Sequence, residues 1–168
     1  FAIAIGVNPS ELDRVVAGKE LLYLPCRLIA RDGGRAPRRI DRPSDRLKGV
    51  QRNLKDRIAE RVTLPPYLHG SVKGCSPRTN AAEHQGKKVL VKLDVADFFP
   101  SIDEHMVEEI FRRQLHASRQ VARAGAALLT RHDETDPSRT FLPQGSPASS
   151  IIANLALDRV DRPVQERA

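Results

Sequence analysis

The chain has 168 residues, a formal net charge of +7, only 4% aromatic residues and no tryptophan. That length suits one domain with its own aliphatic core and removes the need for disulfide staples. Cys26 and Cys75 lie far apart without paired His or Cys ligands, which reads as two reduced structural thiols. No apolar run approaches a membrane span and no signal peptide is recognisable, so a cytoplasmic protein with no membrane partner is expected.

Taken from the start, Ile3 and Ile5 precede Asn8-Pro-Ser-Glu11, where Asn8 reads as an N-cap, Pro9 as the first helical residue and Glu11 as the returning capping-box partner of a helix to about Ala17. Tyr23 to Ala30 is apolar enough for a strand. Asp32-Gly-Gly34 signals a hairpin turn, and Arg35 to Ile40 would return as a strand that Pro37 confines to an edge. Arg42-Pro-Ser44 leads into a helix with Leu47, Val50, Leu54 and Ile58 on one face. Between Arg27 and Arg57 stand eleven Lys or Arg against four Asp, an excess equal to the net charge of the whole chain. Such a segment is either a solvated basic face or a surface for a polyanion, whose binding would then depend on salt.

Pro65-Pro66 breaks the chain. A loop rich in Gly, Ser and Asn follows to His84, with a short helix near Asn80; its backbone amides, with Lys73 and Arg78, are suited to holding phosphate. His69 and His84 have too few neighbouring ligands for zinc and are expected to hydrogen-bond instead.

Lys88 to Ile102 is the stretch around which the chain is organised. Val89, Val91 and Leu93 alternate with Leu90 and Lys92, which predicts a largely buried strand. Asp94 ends the run, and a carboxylate at the end of a rigid strand suits metal binding, although an Asp there is more often a turn former. Asp97, Phe98 and Phe99 follow, Pro100 stops any continuation, and Ser101 with Glu104 forms a capping box that opens a helix bearing Ile102, Met106, Val107, Ile110, Phe111 and Leu115. Ser118 caps a second helix with Val121, Leu128 and Leu129 on its apolar side, weakened by Gly125. His132 to Thr140 reads as a hairpin or loop tip, and Leu142-Pro-Gln-Gly-Ser-Pro147 as a turn. A last helix from Ala148 to about Val164 carries Ile152, Leu155, Ala156, Val160 and Val164, with Pro163 near its stop.

Four of these blocks, in this order, resemble the bacterial reverse transcriptases of the retron and group II intron type: the Arg-rich Gly-Gly hairpin with Ile40-Asp-Arg-Pro43, the His69-Gly to His84 loop, Leu93-Asp-Val-Ala-Asp-Phe-Phe-Pro-Ser-Ile102, and Leu142 to Pro147. The resemblance covers nearly the whole chain. It implies an α+β right-hand polymerase with an antiparallel palm sheet packed with helices: fingers over 1–87, the first part of the palm over 88–168, and a fingers excursion at about 116–145. It makes Asp94 the first metal-binding aspartate and the Val95 carbonyl a further ligand for Mg²⁺, of which the complete enzyme holds two. It makes Phe99 the steric gate under the sugar of an incoming dNTP, beside Asp97 and Phe98, with Gln144 next to the nucleotide in the turn shaped by Pro143 and Gly145. Arg31, Arg38 and Arg39 lie where the fingers hold the triphosphate. Arg35, Arg42, Arg46, Lys48, Arg52, Lys73, Arg78 and Asn80, together with Pro143 and Gly145, fall where the family contacts RNA template and DNA primer.

The family's Tyr/Phe-x-Asp-Asp box, which supplies the remaining metal-binding carboxylates, has no counterpart in these 168 residues, where no Asp-Asp pair occurs. The first residue is Phe1, and Ala168 falls within a helical pattern. The expectation is therefore a reverse transcriptase portion, inactive alone, from a retron, intron, CRISPR-linked or antiviral-defence system. A non-catalytic RNA-binding module with the same surface is the alternative.

Overall fold

The computed structural model describes residues 1–33 and 37–167. Seven α-helices, two short 3-10 helices and two small antiparallel ladders are found among them. Helix α1 (Pro9–Ala17) starts as its sequence predicts: the Asn8 side chain accepts from the Ser10 N–H, with Pro at the first turn. Glu11 does not return to the cap. Its carboxylate takes a two-pronged bond from Arg46 on the neighbouring helix, at 2.5 and 2.7 Å, which lowers its pKa.

Strands β1 (Tyr23–Ile29) and β2 (Arg38–Pro43) form a hairpin, with a register shift between Leu24 and Arg27. The turn at Gly34 and the start of the return at Arg35 lie outside the described residues. Helix α2 (Asp45–Ala59) buries Leu47, Val50, Leu54 and Ile58, the stripe that its helical spacing predicts. Helix α3 (Pro77–Glu83) is closed by a reciprocal Ser76–Thr79 capping box and buries nothing.

The expected buried strand at Lys88 to Leu93 is not a strand. Residues 89–95 carry no regular structure and are exposed, Val89 by 78% and Leu93 by 88%. A strand needs a partner for its N–H and C=O row, and among the described residues none runs beside this one. The predicted palm sheet is accordingly not found there; the two ladders are the β1–β2 hairpin and a two-residue pairing of β3 (Arg131–His132) with β4 (Thr140–Phe141).

Pro100 does not stop the chain but lies within a short helix, α4 (Phe98–Ser101), where it needs no N–H. The cap of α5 (Glu104–Arg113) is Asp103, whose carboxylate accepts from Met106 N at 2.7 Å, rather than Ser101. Asp103 wins because it puts Ile102 just before the cap and Val107 in the next turn, both fully buried, as a hydrophobic staple requires. Glu104 points instead toward Thr130, whose hydroxyl donates to it at 3.3 Å.

Helix α6 (Arg119–Leu129) begins at its Ser118 cap and lies along α5. Gly125 is not a weakness in it. A Cβ there would meet Cε1 and Cζ of Phe111 at 2.6 Å, so the missing side chain is the slot that seats the ring. The last carbonyls of α6 end inside the protein and are satisfied by side chains. The Lys19 ammonium donates to Ala127 O and Thr130 O at 2.6 and 2.9 Å, and Gln51 Nε2 donates to Leu128 O at 3.0 Å. Burial pushes the Lys19 pKa down, while Glu104 and Glu20 oppose the shift.

Helix α7 (Ser149–Gln165) buries Ile152, Ala153 and Leu155 but runs through Pro163, and its outer residues Val160 and Val164 are exposed rather than part of the apolar face. The core is thus helical, formed by α1, α2, α5, α6 and the first half of α7. Both cysteines are free thiols, but Cys26 is exposed rather than structural. No helix of the described residues is long and apolar enough to cross a membrane.

Candidate functional site

The Leu142–Pro147 turn is held from several sides. Leu142 N donates to Ile102 O at 2.8 Å, the Ser149 hydroxyl donates to Pro143 O at 2.6 Å, and Asp41 N donates to Gln144 O at 2.6 Å. Gly145 sits at φ +121°, and a Cβ there would stand 2.0 Å from the Asp41 carbonyl oxygen. The turn therefore rests directly on β2 of the Arg-rich hairpin, and only glycine permits the approach. The Gln144 carboxamide oxygen is buried and has no hydrogen-bond partner.

Below this contact lies a closed ring of charge. Asp41 Oδ1 accepts from Arg39 Nε at 3.0 Å and from Arg131 Nη1 at 2.8 Å. Glu134 Oε1 accepts from Arg39 Nη2 at 2.8 Å and from Arg131 Nη2 at 3.0 Å. Asp41 and Arg131 are buried, whereas Glu134 is exposed, and hydrogen bonding from Arg39 lowers its pKa. Arg131 Nε lies 3.5 Å from Glu20 Oε2, close enough for ion pairing but without hydrogen-bond geometry. The Arg131 guanidinium also stands over the Tyr23 ring at 4.6 Å, and Arg39 over Phe141 at 5.8 Å.

Phe98 and Phe99 are half-buried, edge to face at 6.1 Å, on the short helix α4, which touches β4 and α7 on either side of the Gln144 turn. Asp97 precedes them at φ +47°, a left-handed conformation that Asp tolerates better than most residues. Asp94 and Val95 belong to the exposed segment. Arg31, Arg38, Arg42 and Arg52 are exposed, Lys48 is half-buried, Arg46 is paired with Glu11, and Arg35 lies outside the described residues. Lys73, Arg78 and Asn80 are exposed around α3, whose loop is fastened by His69 Nδ1 to the Thr79 hydroxyl at 2.9 Å and by Asn154 Nδ2 donating to Gly70 O at 2.9 Å.

Residues 31–168 match the family model described as reverse transcriptase (RNA-dependent DNA polymerase). The chain belongs to the reverse transcriptase family. It is 31% identical to the retron Se72 reverse transcriptase of Salmonella heidelberg (strain 579083-10) over 90% of this chain and 38% of the relative. It is 31% identical to the retron Mx162 reverse transcriptase of Myxococcus xanthus over 96% of this chain and 36% of the relative. It is 30% identical to the retron Ec86 reverse transcriptase of Escherichia coli over 76% of this chain and 38% of the relative. The chain thus spans little more than a third of the length of these curated relatives.

In this reverse transcriptase chain the structure brings Arg39, the Gln144 turn and the Phe98–Phe99 pair onto adjoining elements, while Asp94 lies on the exposed run that precedes α4. Among the described residues no group of three His, Cys, Asp or Glu is placed to hold a metal ion. Asp94 and the Val95 carbonyl offer two hard oxygens where Mg²⁺ takes about six in octahedral geometry. By themselves they do not form a two-ion centre. Sequence reasoning missed Asp41, Arg131, Glu134 and Glu20. The available signal was Asp41 itself, a lone acid between Arg39 and Arg42 in a strand, which calls for a buried cationic partner.

Proposed function

We propose that this chain is the fingers and first palm portion of an RNA-directed DNA polymerase that extends a primer on an RNA template with dNTPs. The observation that carries this reading is the seating of the Gln144 turn on the Arg-rich hairpin, joined through Asp41 N–H to Gln144 O and the side-chain-free face of Gly145. Two blocks far apart in sequence meet there, and a buried carboxamide oxygen at their junction has no hydrogen-bond partner in the protein, which calls for an explanation. Assigning about 116–145 to the fingers with residues 1–87, and 88–168 otherwise to the palm, is in keeping with the contacts of α6 and β3 with α1, α2 and the turn at Lys19–Leu22, while α6 lies chiefly along α5 of the palm portion.

In this reading Gln144 lies beside the incoming nucleotide and Phe99 under its sugar, where a ring leaves no space for a 2′-hydroxyl. Asp97 and Phe98 flank the gate. Arg31 and Arg38, with their side chains exposed, attract the triphosphate, while Arg42, Arg46, Lys48 and Arg52, with Lys73, Arg78 and Asn80, serve nucleic acid. Asp94 and the Val95 carbonyl contribute oxygens toward Mg²⁺, whose other ligands come from outside these 168 residues; alone, the chain has no turnover. The second reading is an RNA-binding module without catalysis, which the same basic surface would serve.

Primer extension and RNA binding by the reverse transcriptase bearing this sequence separate the two. Polymerase function requires that Asp94→Asn abolish extension and that Phe99→Ala raise ribonucleotide incorporation. Equal or tighter RNA binding by Asp94→Asn, with no extension by the parent protein, establishes the binding module instead.

A further inference from the structure

The charge ring beneath the Gln144 turn is larger than a hairpin needs. Asp41 and Arg131 are buried at 2% and 6% exposure, and burying two ions contributes little net stability relative to apolar side chains of similar volume. What the pair supplies is geometry. Asp41 is fixed through its side chain by two guanidinium donors, and through its backbone it fixes Gln144 by a 2.6 Å hydrogen bond and Gly145 by close contact. Arg131 enters from β3, with its ring-facing side on Tyr23 and its outer nitrogen on Glu134. The ring therefore ties three separate pieces, β2, β3 with its following loop, and the Gln144 turn, into one register.

We infer that Asp41 and Arg131 are positioning residues for nucleotide binding: their buried ion pair sets where the Gln144 carboxamide stands relative to the arginines of the hairpin. This deepens the polymerase reading and rests on it. Arg39 is part of the same device. Its guanidinium is already shared between Asp41 and Glu134, so it orients the hairpin, and triphosphate recognition is left to the exposed Arg31 and Arg38.

The test uses four variants of the reverse transcriptase bearing this sequence: Asp41→Asn, Arg131→Met, the double variant D41N/R131M, and Gln144→Ala. The single variants each take one counter-ion from a buried charge, leaving Asp41 with Arg39 alone or Arg131 with Glu134 and Glu20, and lose stability. The double variant removes both charges, so its urea midpoint returns toward that of the parent. Positioning predicts that the double variant nonetheless keeps a dNTP KM about tenfold above the parent with kcat changed about twofold or less, since loss of placement weakens nucleotide binding. The amide of residue 41, which donates to Gln144 O, should also exchange with solvent about tenfold faster in the double variant. If Gln144→Ala raises the dNTP KM while D41N/R131M restores both stability and KM, the pair is merely structural and the inference falls. If Gln144→Ala leaves dNTP KM unchanged, or the parent incorporates no dNTP, the underlying polymerase reading falls and takes the inference with it.

Discussion

Replacing Gly145 with alanine probes the contact on which the site depends. The new Cβ would lie 2.0 Å from the Asp41 carbonyl oxygen and 3.2 Å from both the Asp41 carbonyl carbon and Ile40 Cγ2. No rotamer relieves a Cβ, and the obstacle is backbone, so the turn or β2 must move by about 1 Å to reach an ordinary contact. Three effects combine. The φ of +121° costs an alanine about 1–3 kcal/mol, overpacking adds about 1–3 kcal/mol, and weakening the Asp41 N–H to Gln144 O bond adds about 1 kcal/mol. A loss near 4 kcal/mol is a large part of the roughly 5–15 kcal/mol that holds a domain together. Gly6→Ala supplies the control, because Gly6 also has positive φ, +66°, but its Cβ would meet only Asn53 Nδ2 at an ordinary 3.8 Å. That variant should lose about 1–2 kcal/mol. Urea unfolding followed by circular dichroism at the helical minimum measures both. Equal losses in the two variants would show that the backbone contact carries no energy and would refute the seating of the turn on β2.

Gly125→Ala should destabilise by about 1–3 kcal/mol through its 2.6 Å approach to Phe111. Adding Phe111→Leu should recover part of that loss in a double-mutant cycle, whereas strict additivity would deny the contact. Stability should also fall in alkali through Tyr23. Burial is the main cause of its pKa rising from 10.0 to about 12, so the folded protein keeps the proton while the unfolded chain releases it. The contribution is complete below pH 10 and is lost as pH rises toward 12, with a size on the order of 2 kcal/mol. Tyr23→Phe should remove this part of the pH dependence in urea midpoints taken across that range; an unchanged slope would place its origin elsewhere.

The helical half of the fold was legible because its signals are local. Leu47, Val50, Leu54 and Ile58 repeat at helical spacing and are buried together, and Asn8 and Ser118 cap the helices they precede. Errors arose where an element's fate depends on something distant. The alternation at Val89 to Leu93 is genuine strand propensity, but propensity does not provide a neighbouring strand. Gly125 reads as a weak point of its helix until Phe111 arrives from another helix. Ser101 and Asp103 both satisfy a capping rule, and the staple between Ile102 and Val107 decides between them. In the candidate site, Arg39, the Gln144 turn and the Phe98–Phe99 pair stand in motifs that the sequence displays, while Arg131 does not, since nothing around a single Arg after an apolar helix announces a buried carboxylate opposite it.

The exposed run from Val89 to Leu93 gives added salt two opposed actions on this chain. Lys88 and Lys92 stand beside and within that run, and Lys87 just before it. With neither burial nor a neighbouring strand to occupy the segment among the described residues, like-charge repulsion between copies is what resists strand-to-strand pairing. Raising ionic strength from about 0.1 M to 1 M shortens the screening length from about 10 Å to 3 Å. If the Arg27–Arg57 segment holds RNA as proposed, the same addition that releases it draws protein molecules toward one another, making dilute salt the condition in which the chain is both most soluble and most strongly bound to nucleic acid.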